Sequence, residues 1–195
     1  MHPFALLRRL AAYRWLLALA LTFLALDQVT KAWCVRRFPF PVHLHDGRHD
    51  LAVVPGLFYF IHVGNTGAAW SVLDGNNALL ALLALVALAT IFLFRRHLGF
   101  EHRVVQVSFG LLCGGIAGNL CDRVRPVLLL RDGLHGEIRS LADLRDHLAG
   151  GQVIDFLDFH FGSYIYPTFN VADSCIVCGV ILYLFLNFFP PTPRR

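Results

Sequence analysis

Charge is what this chain has least of. Asp, Glu, Lys and Arg together make 15% of its 195 residues, against 56% apolar and 13% aromatic. A soluble domain is usually about a quarter charged. The imbalance excludes a disordered polar segment and leaves too little charge to solvate the surface of one soluble domain. Cysteine offers no framework either. The five present are odd in number and lie within or at the ends of apolar runs, which excludes a disulfide-stapled secreted module. Internal repeats and low-complexity linkers are missing as well. What is there is apolar sequence in blocks, with a mean hydropathy of +0.58, and the blocks are those of a membrane protein.

Uncharged runs fall in four places: Trp15–Leu26, continuing past Asp27, Gln28 and Lys31 to about Val35; Ala78–Phe94; Val104–Leu120; and Ser174–Phe189. The reading predicts spans at about 15–35, 77–94, 104–121 and 173–189. The last three runs are each about 17 residues, or about 25 Å of helix, short of a hydrocarbon core of about 30 Å. They must recruit polar residues at their ends, which puts Asn119, Asp122, Arg123 and Asp173 near one membrane boundary. Arg8, Arg9, Arg14, Arg95, Arg96, Arg103, Arg194 and Arg195 crowd three short segments on one side, so the positive-inside rule makes both termini cytoplasmic. Arg36 and Arg37 run against it. The first run lacks a small-residue cleavage pattern and reads as an uncleaved span. The whole is expected to be a single domain, 1–195.

Two segments lie outside. Within about 38–74, Pro41–His45, Asp46-Gly47 and Arg48–Val54 read as a hairpin, followed by Pro55-Gly56 and the β-prone run Leu57–Val63. A small antiparallel sheet on the outer membrane face is expected. His43, His45, His49 and Asp50 crowd the hairpin, where solvated turn residues are preferred to a metal site. In the second segment, about 124–153, Ser140 and Asp143 form a capping box before Leu141, Leu144 and Leu148 on one helical face. An amphipathic helix at the interface fits, and so does a surface helix without membrane contact. Cys175-Ile-Val-Cys178 has redox or zinc spacing but reads as packing inside an apolar helix.

An ionisable residue at membrane depth costs a few kcal/mol or more and is a functional candidate by default. Asp27 and Lys31 are four apart and can pair on one helical face. Gly114 and Gly118 have small-xxx-small spacing, which admits a close helix. Asn119, Asp122 and Arg123 share a face beyond them, suited to packing and an Asp–Arg pair. Asn65-Thr-Gly67-Ala-Ala-Trp70 begins the return into the membrane, with Trp70 placed as an interfacial anchor. Two acids remain. Asp155 is enclosed in Val153-Ile-Asp-Phe-Leu-Asp-Phe159, and Asp173 follows Asn170 by three residues, as in a capping box. A helix N-terminus favours the ionised carboxylate and apolar neighbours favour the neutral acid, so the two are suited to share one proton. Physics alone leaves structural, proton-path and catalytic roles open.

In combination these motifs carry more. Asp27-Gln-Val-Thr-Lys31, Asn65-Thr-Gly67-Ala-Ala-Trp70, Gly118-Asn119-Leu-Cys-Asp122-Arg123, Val153-Ile-Asp155-Phe156 and Phe169-Asn170-Val-Ala172-Asp173 occur in that order at the ends of four spans. The set, covering about residues 15–190, resembles the bacterial lipoprotein signal peptidases, signal peptidase II. That resemblance implies an all-α integral membrane protein of four transmembrane helices with a small extracytoplasmic antiparallel β-cradle. Here an inserted periplasmic helical segment is expected as well. It implies an aspartic endopeptidase of the bacterial inner membrane, active near the outer face, that cuts diacylglyceryl-modified prolipoproteins before the lipidated cysteine. The family's catalytic dyad falls on Asp155 and Asp173. Its remaining signature falls on Asp27, Lys31, Asn65, Gly67, Asn119, Asp122, Arg123, Asn170 and Ala172, which shape the site or contact substrate or globomycin-type peptide inhibitors. The expected enzyme is a monomer that needs the lipid bilayer, no metal or other cofactor, and no nucleic acid.

Two departures from the family pattern stand out. Gly64 replaces an arginine common before the Asn of the second motif, and residues 124–154 lengthen a connection otherwise under ten residues. The mechanism expected from sequence has Asp173 deprotonate a water while protonated Asp155 donates to the scissile carbonyl. The rival readings are a non-enzymatic four-span carrier or proton channel, relaying through Asp27, Lys31, Asp122 and Asp155, and a metal hydrolase built on His43–Asp50. The acids gather toward one boundary and the second span has none, which favours a site at one face over a relay.

Overall fold

The computed structural model describes residues 11–38, 51–68, 72–129 and 150–189. Their elements run, in order, α1 (Arg14–Arg37), β1 (Leu51–Val54), β2 (Phe58–Asn65), α2 (Asn77–Phe94), α3 (Arg103–Leu129), β3 (Val153–Phe161), β4 (Tyr164–Ile165) and α4 (Val171–Phe188). All four helices are long and apolar enough to cross a membrane, as the four uncharged runs imply. Leu82, Leu83, Leu85, Val86, Phe92 and Leu93 of α2 are 49–68% exposed, the burial pattern of a helix solvated by lipid. The third helix runs on to Leu129, past the end expected near residue 121. Its polar residues there, Asp122, Arg123 and Arg125, have protein partners, so no exit to water is needed. The expected turn at Asp46-Gly47, the His43–Asp50 cluster, Trp70 and the helix over 140–148 lie outside the described residues.

The chain divides into two compact units. The first takes Met1–Asp27, Val86–Gly118 and Val171–Arg195. Its apolar centre is Phe100, Val105 and Phe109, with Tyr13, Leu16, Leu112 and Tyr183 packed against it. Gln106 is buried and closes the start of α1. Its Oε1 accepts from the N–H groups of Trp15 (3.2 Å) and Leu16 (3.4 Å), two donors that have no partner inside the helix. Its Nε2 donates to the carbonyls of Ala12 and Phe100. The small-residue spacing of α3 does what sequence implies. A Cβ on Gly114 would stand 2.9 Å from the Ala20 carbonyl oxygen, and one on Gly118 would stand 2.5 Å from Asp27 Oδ2.

The second unit takes Gln28–Leu85 and Asn119–Asn170 and holds the sheet, antiparallel in the order β1-β2-β3-β4. Gly56, at φ 79°, turns the β1–β2 hairpin. Ile61, Val153 and Phe156 are nearly fully buried, Phe58 stacks on Phe159 at 4.5 Å, and Cys34 Sγ donates to the Ile61 carbonyl. Register slips between Phe60 and Val63: Phe60 pairs Leu157 but Val63 pairs Asp155. That bulge sets Asp155 opposite Val63, an example of the local re-aiming that bulges produce beside functional groups. The sequence reading assigned no strand to residues 153–161. Residues 153–156 are all buried, so the two-residue alternation that marks a half-exposed strand is absent.

Candidate active site

Asp155 is 2% exposed, and both its oxygens are held by amide donors. Asn65 Nδ2 donates to Oδ2 at 2.9 Å and Asn170 Nδ2 donates to Oδ1 at 2.7 Å. Asn65 stands at the end of β2, and its own Oδ1 accepts from the Gly67 N–H at 2.9 Å. A backbone N–H can only donate, so this bond fixes which end of the Asn65 carboxamide is oxygen and turns the NH2 toward Asp155. Gly67 is in turn held at its carbonyl by Arg123 Nη2, at 2.6 Å.

The Asn170 side leads to a second buried charge. Asn170 Nδ2 also donates to Asn119 Oδ1 (3.1 Å), which accepts from Lys31 Nζ at 3.0 Å. Lys31 pairs with Asp122 at 2.7 Å, both side chains fully buried. Asp122 gathers four donors: Lys31, Gln28 Nε2 (3.2 Å), Arg125 Nη2 (3.0 Å) and the Ile154 N–H (3.4 Å). The last of these ties β3 to α3 immediately before Asp155. Lys31, Asn65, Gly67, Asn119, Asp122, Arg123, Asn170 and Asp155, all singled out in the sequence, are thus one hydrogen-bonded set within the second unit. The Asp–Arg pairing expected on α3 takes a different form, with Arg125 on Asp122 and Arg123 on Gly67.

In the first unit, Asp173 lies in the opening turn of α4. Asp27 is fully buried, and its Oδ1 accepts from the Ala172 N–H at 2.9 Å, satisfying one of the donors a helix start leaves unpaired. Gly118 leaves room for that carboxylate, because a Cβ there would press on Asp27 Oδ2 and on the Ala172 Cβ. Asp27, Gly118, Ala172 and Asp173 therefore form a second group, built around the start of a helix.

Three partners escaped the sequence reading. Asn77, fully buried at the start of α2, accepts from Arg123 Nη1 (2.8 Å) and donates to the Arg123 carbonyl (3.1 Å). Arg125 joins the Asp122 cluster and also donates to Gln28 Oε1. On β3, Asp158 is 1% exposed and sits against His160 Nε2 at 2.6 Å, with Thr168 Oγ1 donating at 3.2 Å. The available signal for the last of these was a second acid, Asp158, set between Leu157 and Phe159 in the same apolar run as Asp155. A carboxylate held by neutral amide donors in a water-poor setting can accept a proton from a bound water, the chemistry of a general base.

The family model for signal peptidase (SPase) II matches residues 19–189. A lipoprotein signal peptidase of Symbiobacterium thermophilum is 33% identical over 171 residues, covering 88% of this chain and 91% of the relative. One of Geobacillus kaustophilus is 32% identical over 184 residues, covering 94% and 97%. Among solved structures, a bacterial membrane enzyme determined by the in meso method at 2.3 Å superposes with a TM-score of 0.63 at 24% identity, over 92% of this chain and 93% of that one. Another, at 1.9 Å, gives 0.59 at 25% identity, over 91% and 94%.

Proposed function

This chain belongs to the signal peptidase II family, and from that premise we propose that it is the aspartic form of the membrane protease that removes lipoprotein signal peptides. As a multi-pass bacterial membrane protein it meets its prolipoprotein substrates in the bilayer. The cut falls before a cysteine already carrying a diacylglyceryl group, whose acyl chains stay in lipid while the signal helix enters sideways. Asp155 and Asp173 are the catalytic pair. The observation that carries the reading is the setting of Asp155, buried and held at both oxygens by the amides of Asn65 and Asn170. Asn170 precedes Asp173 by three residues in the chain, so the residue that grips one acid also leads into the other.

Two N–H donors favour an ionised carboxylate. Asp155 is therefore the base that takes a proton from the attacking water, and Asp173 holds the shared proton and gives it to the scissile carbonyl oxygen. The assignment drawn from sequence is the opposite one, resting on the helix N-terminus at Asp173 and the apolar neighbours of Asp155. The water oxygen adds to the carbonyl carbon, and the tetrahedral diol collapses as the amide nitrogen leaves with a proton from the dyad. Asp27, Lys31, Asn119, Asp122 and Arg123 hold the framework, a globomycin-type peptide competes for the same place, and the enzyme works as a monomer without metal.

The test is cleavage of a diacylglyceryl-modified prolipoprotein by purified Asp155→Asn and Asp173→Asn. Each is expected to lose activity by on the order of a thousandfold or more while keeping its fold, the scale of losing a general acid or base together with its charge. Near-normal cleavage by either folded variant defeats the dyad. Sensitivity of the wild type to a chelator, with the acids dispensable, points instead to the His43–Asp50 hydrolase.

A further inference from the structure

The Asp155 site is held in place from a residue that no sequence motif marked. Asn77 is fully buried at the first turn of α2, and its carboxamide makes two bonds to one residue. Its oxygen accepts from Arg123 Nη1 at 2.8 Å, and its nitrogen donates to the Arg123 carbonyl at 3.1 Å. Clamped at both side chain and backbone, Arg123 directs Nη2 onto the Gly67 carbonyl at 2.6 Å. The Gly67 N–H then fixes the Asn65 carboxamide, which donates to Asp155. Each link has a defined direction, since guanidinium and backbone N–H groups only donate. Chains of this kind in a low-dielectric interior strengthen one another, and a group left unsatisfied in one is costly. The second contact on Asn77 is equally specific. A Cβ on Gly151 would collide with both the Asn77 amide and the Arg123 carbonyl, so the chain entering β3 is seated directly on the clamp.

We propose that Asn77 is a positioning residue of the peptidase: through Arg123 and Gly67 it sets the orientation of the Asn65 amide on Asp155. The inference rests on the reading of Asp155 as a catalytic residue. Asn77 touches no reacting atom in it, and its effect falls on turnover instead of on substrate binding.

The experiment compares Asn77→Leu with Asn77→Asp, which keeps the oxygen that receives Arg123 Nη1. Cleavage of a lipidated prolipoprotein is followed at steady state and in single turnover, so that slow variants register. Asn77→Leu is expected to lower kcat by about 10- to 100-fold with KM changed by no more than about threefold, the range a misplaced catalytic group produces. Asn77→Asp is expected to recover only part of that loss, through the bond to Nη1, since a carboxylate cannot donate to the Arg123 carbonyl. In an Asn65→Ala background, the leucine substitution should add no more than about twofold, because its route to Asp155 is already cut. A residue that merely stabilised the helix start would multiply its effect with that of Asn65→Ala, and would lower stability without the selective loss of kcat. Wild-type kcat in folded Asn77→Leu, or a full multiplicative loss in the double variant, overturns the proposal. Should the leucine variant not fold, Asn77→Ala removes both bonds without added bulk and completes the same cycle. If Asp155→Asn still cleaves normally, the catalytic reading itself has failed. If Asp155→Asn is inactive while Asn77→Leu turns over like wild type, only the positioning role has failed.

Discussion

Lys31 and Asp122 are fully buried opposite charges 2.7 Å apart. Neither would be stable there alone, because desolvating one ion costs several kcal/mol and only a close partner with further hydrogen bonds offsets it. Asn119 supplies that support to Lys31, and Gln28, Arg125 and the Ile154 N–H supply it to Asp122. Removing one member is expected to hurt more than removing both. Lys31→Met should destabilise the protein by about 3–5 kcal/mol, and Lys31→Met combined with Asp122→Asn by clearly less than the sum of the two single changes. Thermal unfolding in detergent measures both, and an unchanged Tm for Lys31→Met would remove the pair from the framework. Much at this scale was legible in the sequence, for a simple reason. An acid or amide inside an apolar run has no solvent to account for it, so Asp27, Lys31, Asn119, Asp122 and Asp155 announced themselves. Asn77 and Arg125 sit at segment ends, where a polar residue is ordinarily a cap or a solvated side chain. Only the fold shows that Asn77 is buried and that Arg125 is paired with Asp122.

At the scale of elements, the third helix is the one whose sequence and packing agree most closely. Its glycines sit where other helices of the chain come near. Gly115 meets the Ala172 carbonyl and Ile176, Gly118 meets Asp27 and Ala172, and across from Leu112 the partner helix has Gly179, whose carbonyl accepts from Ser108 Oγ at 2.8 Å. Alanine favours a helix over glycine by about 1 kcal/mol, so a freely exposed Gly118→Ala would stabilise. Here the added methyl would press on the carboxylate that caps Ala172. Gly118→Ala is therefore expected to destabilise by about 1–3 kcal/mol, the cost of overpacking, and to reduce cleavage with it. Detergent unfolding and the prolipoprotein assay read both effects, and a variant more stable than wild type with full activity would show that the close approach does not matter. The spans were legible because a run of apolar residues over two dozen ångströms has few other uses. The strand carrying Asp155 was not, since burial on both faces erases the pattern that identifies a strand, and its partner β2 lies some ninety residues earlier in the chain.

For the whole molecule, the distribution of charge carries an orientation. The arginines at Arg14, Arg95, Arg96 and Arg103 cluster at the ends of α1, α2 and α3 remote in sequence from the sheet segments, while the acids Asp122, Asp155 and Asp173 fall in or beside the opposite connections. Basic residues in short loops are held on the cytoplasmic side, and the proposed orientation follows that rule, with both termini inside and the sheet outside. The proposed chemistry asks for the same arrangement, because on that reading a prolipoprotein presents its lipidated cysteine at the outer boundary of the membrane and Asp155 stands on a strand of the sheet. Arg36 and Arg37, at the far end of α1, are the counterweight, since the same rule applied to them alone would turn the chain over. Their effect should be the smaller one, because the two sides hold equal numbers of arginines but the segments on the sheet side dilute theirs with acids. A fluorescent protein fused after Arg195 is then expected to fold and fluoresce in the cytoplasm, and alkaline phosphatase inserted at the Gly56 turn to be active outside. A dark C-terminal fusion with an inactive phosphatase would invert the topology. It would also place Asp155 on the side where no signal peptide remains to be cut, and the functional reading would fall with the orientation.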